Sequence, residues 1–339
     1  MKAIRIPGVR SMEVVDLDLP EPESGEVLLK IHYVGFCGSD LNTFRGGNAM
    51  AKPSVIPGHE IGAVIERLGE GCPDTLKVGQ VVTVNPYTAC GVCASCRNGR
   101  PNACRDNETL GVQRDGAMRE YICLPWQKII PVGDISPRDA ALIEPMSVGF
   151  HAIARGCVTD NDVVVVIGCG MVGLGAVMRA SRRGATVVAV DLGTDKFEIA
   201  RRAGASYTID SRAENVRERV MKITGGYGAD VVVEAVGSPA TYVTAIDIVG
   251  FTGRVVCIGY SKSDVSFQTR LFVQKELDIR GSRNATPEDF RAVIGMMREG
   301  RVPVSSLVSG VATPETALDA MRKWDSEPAK VFRILVSFT

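Results

Sequence analysis

Histidine is scarce in this chain: three in 339 residues, at positions 32, 59 and 151. Any chemistry that needs an imidazole therefore has few candidates. Aromatic residues are also few, at 6%, with two tryptophans, which favours a polar ligand over an aromatic one. Net charge is missing too, since 39 Lys and Arg balance 39 Asp and Glu. Nothing global draws the chain to nucleic acid or to an anionic membrane. No apolar run approaches the roughly 20 residues that span a bilayer. Met1-Lys-Ala-Ile-Arg-Ile-Pro7 moves straight into strand-like sequence without a signal peptide. Ten cysteines with no export signal imply a reducing, cytoplasmic setting.

What is present fits a globular α/β protein. The length suits two domains with large cores, and 45% apolar with 23% charged residues is ordinary. Up to about residue 150 short apolar runs such as Val27–Ile31, Ile61–Ile65 and Val81–Val84 are punctuated by Pro and Gly, which reads as a compact β-barrel. From 151 strands alternate with helices. Asp162–Ile167, Thr186–Val190, Tyr207–Ile209, Val231–Val233, Val255–Ile258 and Leu277–Ile279 read as strands. Met171–Arg183 and Ala213–Ile223 read as helices. Six such strands predict a doubly wound parallel sheet over 151–286. Thr286 then N-caps a further helix, and the segment 287–339, ending in strand-like Val331–Val336, is expected to complete the first lobe.

Cys90, Cys93, Cys96 and Cys104 are separated by two, two and seven residues. Four thiolates at these spacings suit a tetrahedral zinc ion with no open position, hence a structural one. A disulfide framework belongs to small secreted chains. Cys72, Cys123, Cys157, Cys169 and Cys257 stand singly and read as buried thiols.

Gly168-Cys-Gly170-Met171-Val172-Gly173 follows a β-branched run and opens a helix. The first two glycines permit a tight turn and close approach to a pyrophosphate, and the third lets helix and strand pack. Asp191 ends the next strand, about 20 residues on. Its carboxylate suits the ribose hydroxyls of NAD and repels the 2′-phosphate of NADP. Leu192 and Gly193, not an arginine, follow it.

Cys37-Gly-Ser39-Asp40 closes one strand, Gly58-His59-Glu60 opens the next, and Glu144 precedes the domain junction. Singly, each has a bland explanation. Together they supply one thiolate, one imidazole and two carboxylates, a mixture that suits a catalytic zinc with room for water.

These motifs, with Asp115-Gly-Ala-Met-Arg-Glu-Tyr121 and Ile143-Glu-Pro-Met-Ser-Val-Gly-Phe-His151, run in order along a chain that resembles the zinc-containing medium-chain dehydrogenases. Within them it is most similar to the polyol and sugar-acid branch. The resemblance implies a GroES-like barrel over 1–150, completed by 287–339, and a Rossmann NAD-binding domain over 151–286. It implies two zinc ions per chain, NAD, and a homodimer or homotetramer. Cys37, His59 and a carboxylate would hold the catalytic zinc, with Glu60 and Glu144 both close and the direct one left open. Ser39 would hydrogen-bond the reacting oxygen, and Asp40 would orient His59 or the local backbone. Where relatives commonly carry a relay histidine two residues after that Asp, this chain has Asn42. Protons are then expected to leave through the ribose hydroxyl and water. His151 reads as structural.

Gly281-Ser-Arg283-Asn284 resembles the corresponding segment of L-galactonate and L-gulonate 5-dehydrogenases. Arg283 could pair bidentately with a substrate carboxylate and Asn284 could read a hydroxyl. Arg283 could equally support the cofactor. The expected reaction is oxidation of a secondary hydroxyl of a sugar acid or polyol. Threonine or a short diol remains an alternative substrate, and a non-catalytic NAD-binding regulator an alternative role.

Overall fold

The structure, a computed structural model, describes residues 1–52, 54–300 and 304–339. The chain divides into two units, one of Met1–Pro145 with Ile294–Thr339 and one of Met146–Val293. Among the described residues no helix is long and apolar enough to cross a membrane.

The first unit holds β1 (Lys2–Arg5), β2 (Glu13–Asp16), β3 (Glu26–Gly35), β4 (Glu60–Leu68), β5 (Val81–Val84), β6 (Tyr121–Pro125) and β7 (Ile129–Pro131). The second holds β8 (Val163–Ile167), β9 (Thr186–Asp191), β10 (Tyr207–Asp210), β11 (Ala229–Glu234), β12 (Val249–Cys257) and β13 (Asp278–Gly281). Strands β14 (Gly310–Ala312) and β15 (Ile334–Ser337) follow in the returning tail.

In the first unit β1 and β2 pair separately, and seven strands form the main sheet in the order β14-β15-β3-β4-β5-β7, with β6 also on β3. Strand β3 is the hub. One edge pairs antiparallel with β4 along most of its length. The other edge is shared, β6 taking residues 26–30 and β15 taking 33–35. Val27, Leu29, Ile31 and Val34 of β3 are fully buried. They pack with Phe36, Phe44, Ile61, Ile65, Val82 and Met118 and with Met321 and Val336 of the tail. The returning segment therefore contributes core as well as a strand.

The second unit is a six-stranded sheet in the order β10-β9-β8-β11-β12-β13, parallel at every pairing. Its central strands are runs of valine buried on both faces, as a doubly wound sheet requires. Among the boundaries that differ from expectation are two in this unit. The helix expected from Ala213 begins at Val216, because the Asn215 side chain caps it by accepting the Glu218 N–H at 3.2 Å. Strand β12 starts at Val249, ahead of the expected Val255, and its pairing with β11 carries a register shift.

One expectation is overturned. Cys157 is exposed, not buried. It sits at φ +49° in the turn after the helix Ile143–Arg155, with Arg280 Nη1 at 3.2 Å from its sulfur. Cys169 is buried, and Cys72, Cys123 and Cys257 are partly so. Thr286 does sit at a helix start, but its hydroxyl donates to Asp289 Oδ2 at 2.8 Å instead of accepting a helical N–H.

Candidate active site and cofactor loop

Strand β3 ends at Gly35, and the chain turns through Cys37 into the helix Gly38–Phe44. The turn is fixed by Asp40, whose Oδ2 accepts the Cys37 N–H at 2.8 Å. His59 and Glu60 stand at the start of β4, whose register places Glu60 opposite Gly35. The pairing needs a glycine there: a Cβ on Gly35 would lie 2.2 Å from Glu60 Oε2. Local turn and strand register thus bring one ligand atom each of Cys37, His59 and Glu60 within 4.8 Å of one another.

The surroundings are buried and strongly charged. Glu60 and Asp40 are inaccessible, and His59 and Glu144 nearly so. Neither carboxylate oxygen of Glu60 has an aligned hydrogen-bond donor, and His59 Nδ1 has no partner among the described residues. Arg333, just ahead of β15, brings Nη1 within 3.0 Å of Glu60 Oε1. That contact is an ion pair, and the same nitrogen is aligned on the Phe36 carbonyl. Glu144 does not join the three-ligand group. It stands in the first turn of the helix Ile143–Arg155, where its Oε1 accepts the hydroxyl of buried Tyr87.

Burial pushes the Glu144 carboxyl up to about 7, with Glu60 adding to the rise against His59 and Tyr87. It raises Asp40 to about 6 against the pull of His59 and the Cys37 N–H. Burial works to lower His59, but Cys37, Glu144 and Asp40 outweigh it and lift the imidazole well above its ordinary range. Three buried carboxylates, of Asp40, Glu60 and Glu144, thus crowd around two cationic groups, His59 and Arg333, with both Glu60 oxygens and His59 Nδ1 left without an aligned partner among the described residues. Unsatisfied buried polar atoms are costly, and a divalent cation would satisfy those of Glu60 and His59. One sulfur, one imidazole nitrogen and one carboxylate fit zinc with a fourth position left open. Ser39 Oγ is buried nearby in sequence and has no partner among the described residues. Asn42 is half-buried and its carbonyl accepts the Gly47 N–H at 2.8 Å.

Cys90, Cys93, Cys96 and Cys104 also come within 4.8 Å, and all ten cysteines are free thiols. Backbone N–H groups of Cys90 and Cys93 point at sulfur, each at 3.3 Å. Backbone donors of Arg105 and Cys96 lower Cys93 to about 6. Donors aimed at sulfur favour the thiolate, the form that binds zinc.

In the second unit the glycine loop leaves β8 with Gly168 at φ +99°. A Cβ on Gly173 would meet the Gly168 carbonyl at 1.8 Å, so the third glycine is required by the helix–strand contact. Around Gly170, the N-cap of the helix Met171–Arg182, a Cβ would meet nothing within 4 Å. That open cradle before a helix N-terminus fits a pyrophosphate, with Met171 and Val172 supplying the first N–H groups. Asp191 closes β9. Its Oδ2 accepts the Cys169 N–H at 2.7 Å and its Oδ1 accepts the Leu192 N–H at 2.6 Å. Lys196 Nζ stands 3.8 Å from Oδ2, a cation that the reading of Asp191 alone overlooked. Arg283 and Asn284 lie in the loop after β13, with Asn284 at φ +56°. His151 Nδ1 is 2.9 Å from Asp289 Oδ2, a structural contact within the second unit.

Sequence reasoning missed Tyr87 and Arg333. Tyr87 stands three residues ahead of Cys90, where a tyrosine reads as an ordinary loop residue. Arg333 sits in a strand-like tail whose pairing with β3 no local pattern reveals.

The alcohol dehydrogenase GroES-like domain matches residues 23–134, and the zinc-binding dehydrogenase domain matches residues 171–299. The chain is 35% identical over 292 residues to L-galactonate-5-dehydrogenase of Escherichia coli K12, covering 86% of each. It is 34% identical over 333 residues to a sorbitol dehydrogenase of Bacillus subtilis, covering 95% of this chain and 93% of that one. An alcohol dehydrogenase of E. coli CFT073, solved with NADH, superposes with a TM-score of 0.91 at 28% identity, covering 100% of this chain and 99% of the other. With its GroES-like domain, its parallel nucleotide-binding sheet and this set of relatives, the chain belongs to the zinc-type medium-chain alcohol dehydrogenases, among their polyol and sugar dehydrogenases.

Proposed function

We propose that this enzyme oxidises a secondary hydroxyl of a polyol or a sugar acid of the L-galactonate or L-gulonate kind, with NAD as hydride acceptor. The observation that carries the proposal is the convergence of Cys37, His59 and Glu60 within 4.8 Å beside the further buried carboxylates of Asp40 and Glu144. These three would hold the catalytic zinc, and the four-cysteine loop a structural one. Zinc held there would supply a Lewis acid that brings the pKa of an alcohol oxygen towards neutrality. NAD, held by the glycine loop and Asp191, would supply the hydride acceptor.

The chain's residues then have distinct tasks. Asp40 fixes the Cys37 turn through its 2.8 Å bond to the backbone. Ser39 Oγ, buried without a partner, takes the hydroxyl proton of the substrate by hydrogen bond and passes it outward. Asn42 cannot accept a proton at neutral pH, so the exit runs through the ribose hydroxyl and water. Glu144 supplies a second carboxylate beside the ligand group. Gly168, Gly170 and Gly173 seat the pyrophosphate, and Asp191 takes the adenosine ribose. Arg283 pairs with the carboxylate of a sugar acid, and Asn284 reads a hydroxyl. The identity to an L-galactonate dehydrogenase supports the sugar acid, and the sorbitol dehydrogenase likeness supports a neutral polyol.

The test is NADH and NADPH formation by zinc-loaded protein over a panel of aldonates, polyols, threonine and simple alcohols. Fast turnover of an aldonate, lost in Arg283→Ala, is expected. Turnover of neutral polyols alone removes the carboxylate assignment. Preference for NADP removes the assignment of Asp191.

A further inference from the structure

Tyr87 lies on the stretch that leaves β5 and reaches Cys90 three residues later. It is 4% exposed, and its hydroxyl donates to Glu144 Oε1. Its backbone is fastened on several sides. The N–H donates to Asn85 Oδ1 at 3.1 Å, and the carbonyl accepts Lys128 Nζ at 2.5 Å. Tyr87 also forms an antiparallel bridge with Thr109. The next residue is laced to the segment after Cys104: Thr88 N–H donates to the Glu108 carbonyl at 3.2 Å, and Glu108 N–H to Thr88 Oγ1 at 2.7 Å. A tyrosine side chain has two rotatable angles, and this one is held at both ends.

A buried phenol needs an acceptor, and here the acceptor is Glu144, a carboxylate that borders the ligand group without joining it. A flexible glutamate beside a cation can swing in and occupy the open position that an alcohol must take. With one oxygen held by Tyr87, Glu144 keeps its distance. We infer that Tyr87 is a positioning residue, holding Glu144 outside the ligand set of Cys37, His59 and Glu60 and orienting it as a hydrogen-bond acceptor for the substrate side. This rests on the proposal that those three residues bind a divalent metal.

The experiment uses the full chain reconstituted with cobalt(II), whose visible d–d bands report its ligands. The bands of the Cys37→Ser variant are subtracted to remove the four-cysteine site. Tyr87→Phe keeps the ring and loses only the hydroxyl. Its metal content should match wild type and its bands should shift. Its kcat should fall about tenfold, the low end for a residue that orients a metal-site group, with KM little changed. In a Glu144→Ala background Tyr87→Phe should alter neither bands nor kcat, whereas a purely structural residue would act equally in both backgrounds. Glu144→Asp, which withdraws the carboxylate from the phenol by one methylene, should reproduce the band shift should Tyr87→Phe fail to fold. Wild-type bands and kcat in Tyr87→Phe, or wild-type bands in Glu144→Asp, overturn the inference. A wild-type protein that takes up cobalt only at the four cysteines overturns instead the proposal on which it rests.

Discussion

Arg333 Nη1 lies 3.0 Å from Glu60 Oε1 where neither side chain is more than 5% exposed. The guanidinium arrives from the tail because β15 pairs with β3 in a register that sets Leu335 opposite Gly35. A buried ion pair contributes little net stability, yet removing one partner strands the other and costs roughly 3–5 kcal/mol. Arg333→Met should therefore destabilise the protein by about that much after chelation of metal. The loss should be smaller in zinc-loaded protein, where a cation at Glu60 supplies the missing charge. Urea unfolding of both proteins, with and without chelator, measures the two losses. Equal losses would mean that Glu60 does not contact the metal.

Gly170 and Gly173 give a matched pair. An alanine at Gly173 drives its Cβ to 1.8 Å from the Gly168 carbonyl, so helix and strand must separate at a cost of about 1–3 kcal/mol or more. An alanine at Gly170 meets no protein atom within 4 Å and keeps φ at −72°. Gly170→Ala should unfold at the wild-type temperature yet bind NADH about tenfold more weakly, a loss of roughly 1.4 kcal/mol from one obstructed approach. Gly173→Ala should lose both. Thermal scans and NADH fluorescence titration separate the cases. Unchanged NADH affinity in Gly170→Ala would place the pyrophosphate elsewhere.

The loop from Cys90 to Cys104 has almost no core of its own, with Asn102 and Cys104 its buried residues. Its order is expected to come from metal, as in small zinc lobes. Cys104→Ser should lower bound zinc by about one ion per chain. It should also loosen the backbone around Arg97 and Arg105, whose side chains are already exposed, enough for trypsin to cut after them. Metal analysis with limited proteolysis provides the check, and a Cys104→Ser protein as resistant as wild type would show that the loop holds without its ion.

What could be read beforehand follows from distance along the chain. The four cysteines carry their geometry in their spacing, and Gly168, Gly170 and Gly173 carry theirs in the strand before and the helix after. Cys37 and His59 are separated further, but β3 and β4 are sequential strands, and sequential strands commonly pair. Arg333 and Tyr87 had no such signal. Arg333 acts through a strand that returns from the far end of the chain. Tyr87 acts through a hydroxyl whose acceptor, Glu144, lies on a helix that follows two intervening strands. Cys157 misled for a different reason. Burial is the usual state of a free cysteine, but this one occupies a positive-φ turn after a helix, a place that faces solvent.

Asp289 Oδ2 is the meeting point of Thr286 N–H at 2.9 Å, Thr286 Oγ1 at 2.8 Å and His151 Nδ1 at 2.9 Å. Burial acts to raise this carboxyl, but the His151 and Thr286 donors outweigh it and hold it below the usual carboxylate range. A carboxylate favoured in the folded state adds stability that is fully present above its unfolded pKa, near 3.9. That contribution disappears as pH falls through the lower folded value. Asp289→Asn keeps the shape and removes the charge, so it should cost about 2 kcal/mol at neutral pH, in the range for hydrogen bonds to a charged group. The gap to wild type should stay constant down to about pH 5 and close below pH 4. Other groups titrate in both proteins, so the difference in melting temperature across a pH series isolates this carboxylate. A gap that persists undiminished at pH 3 would mean that the Asp289 contacts stabilise the helix start by shape alone.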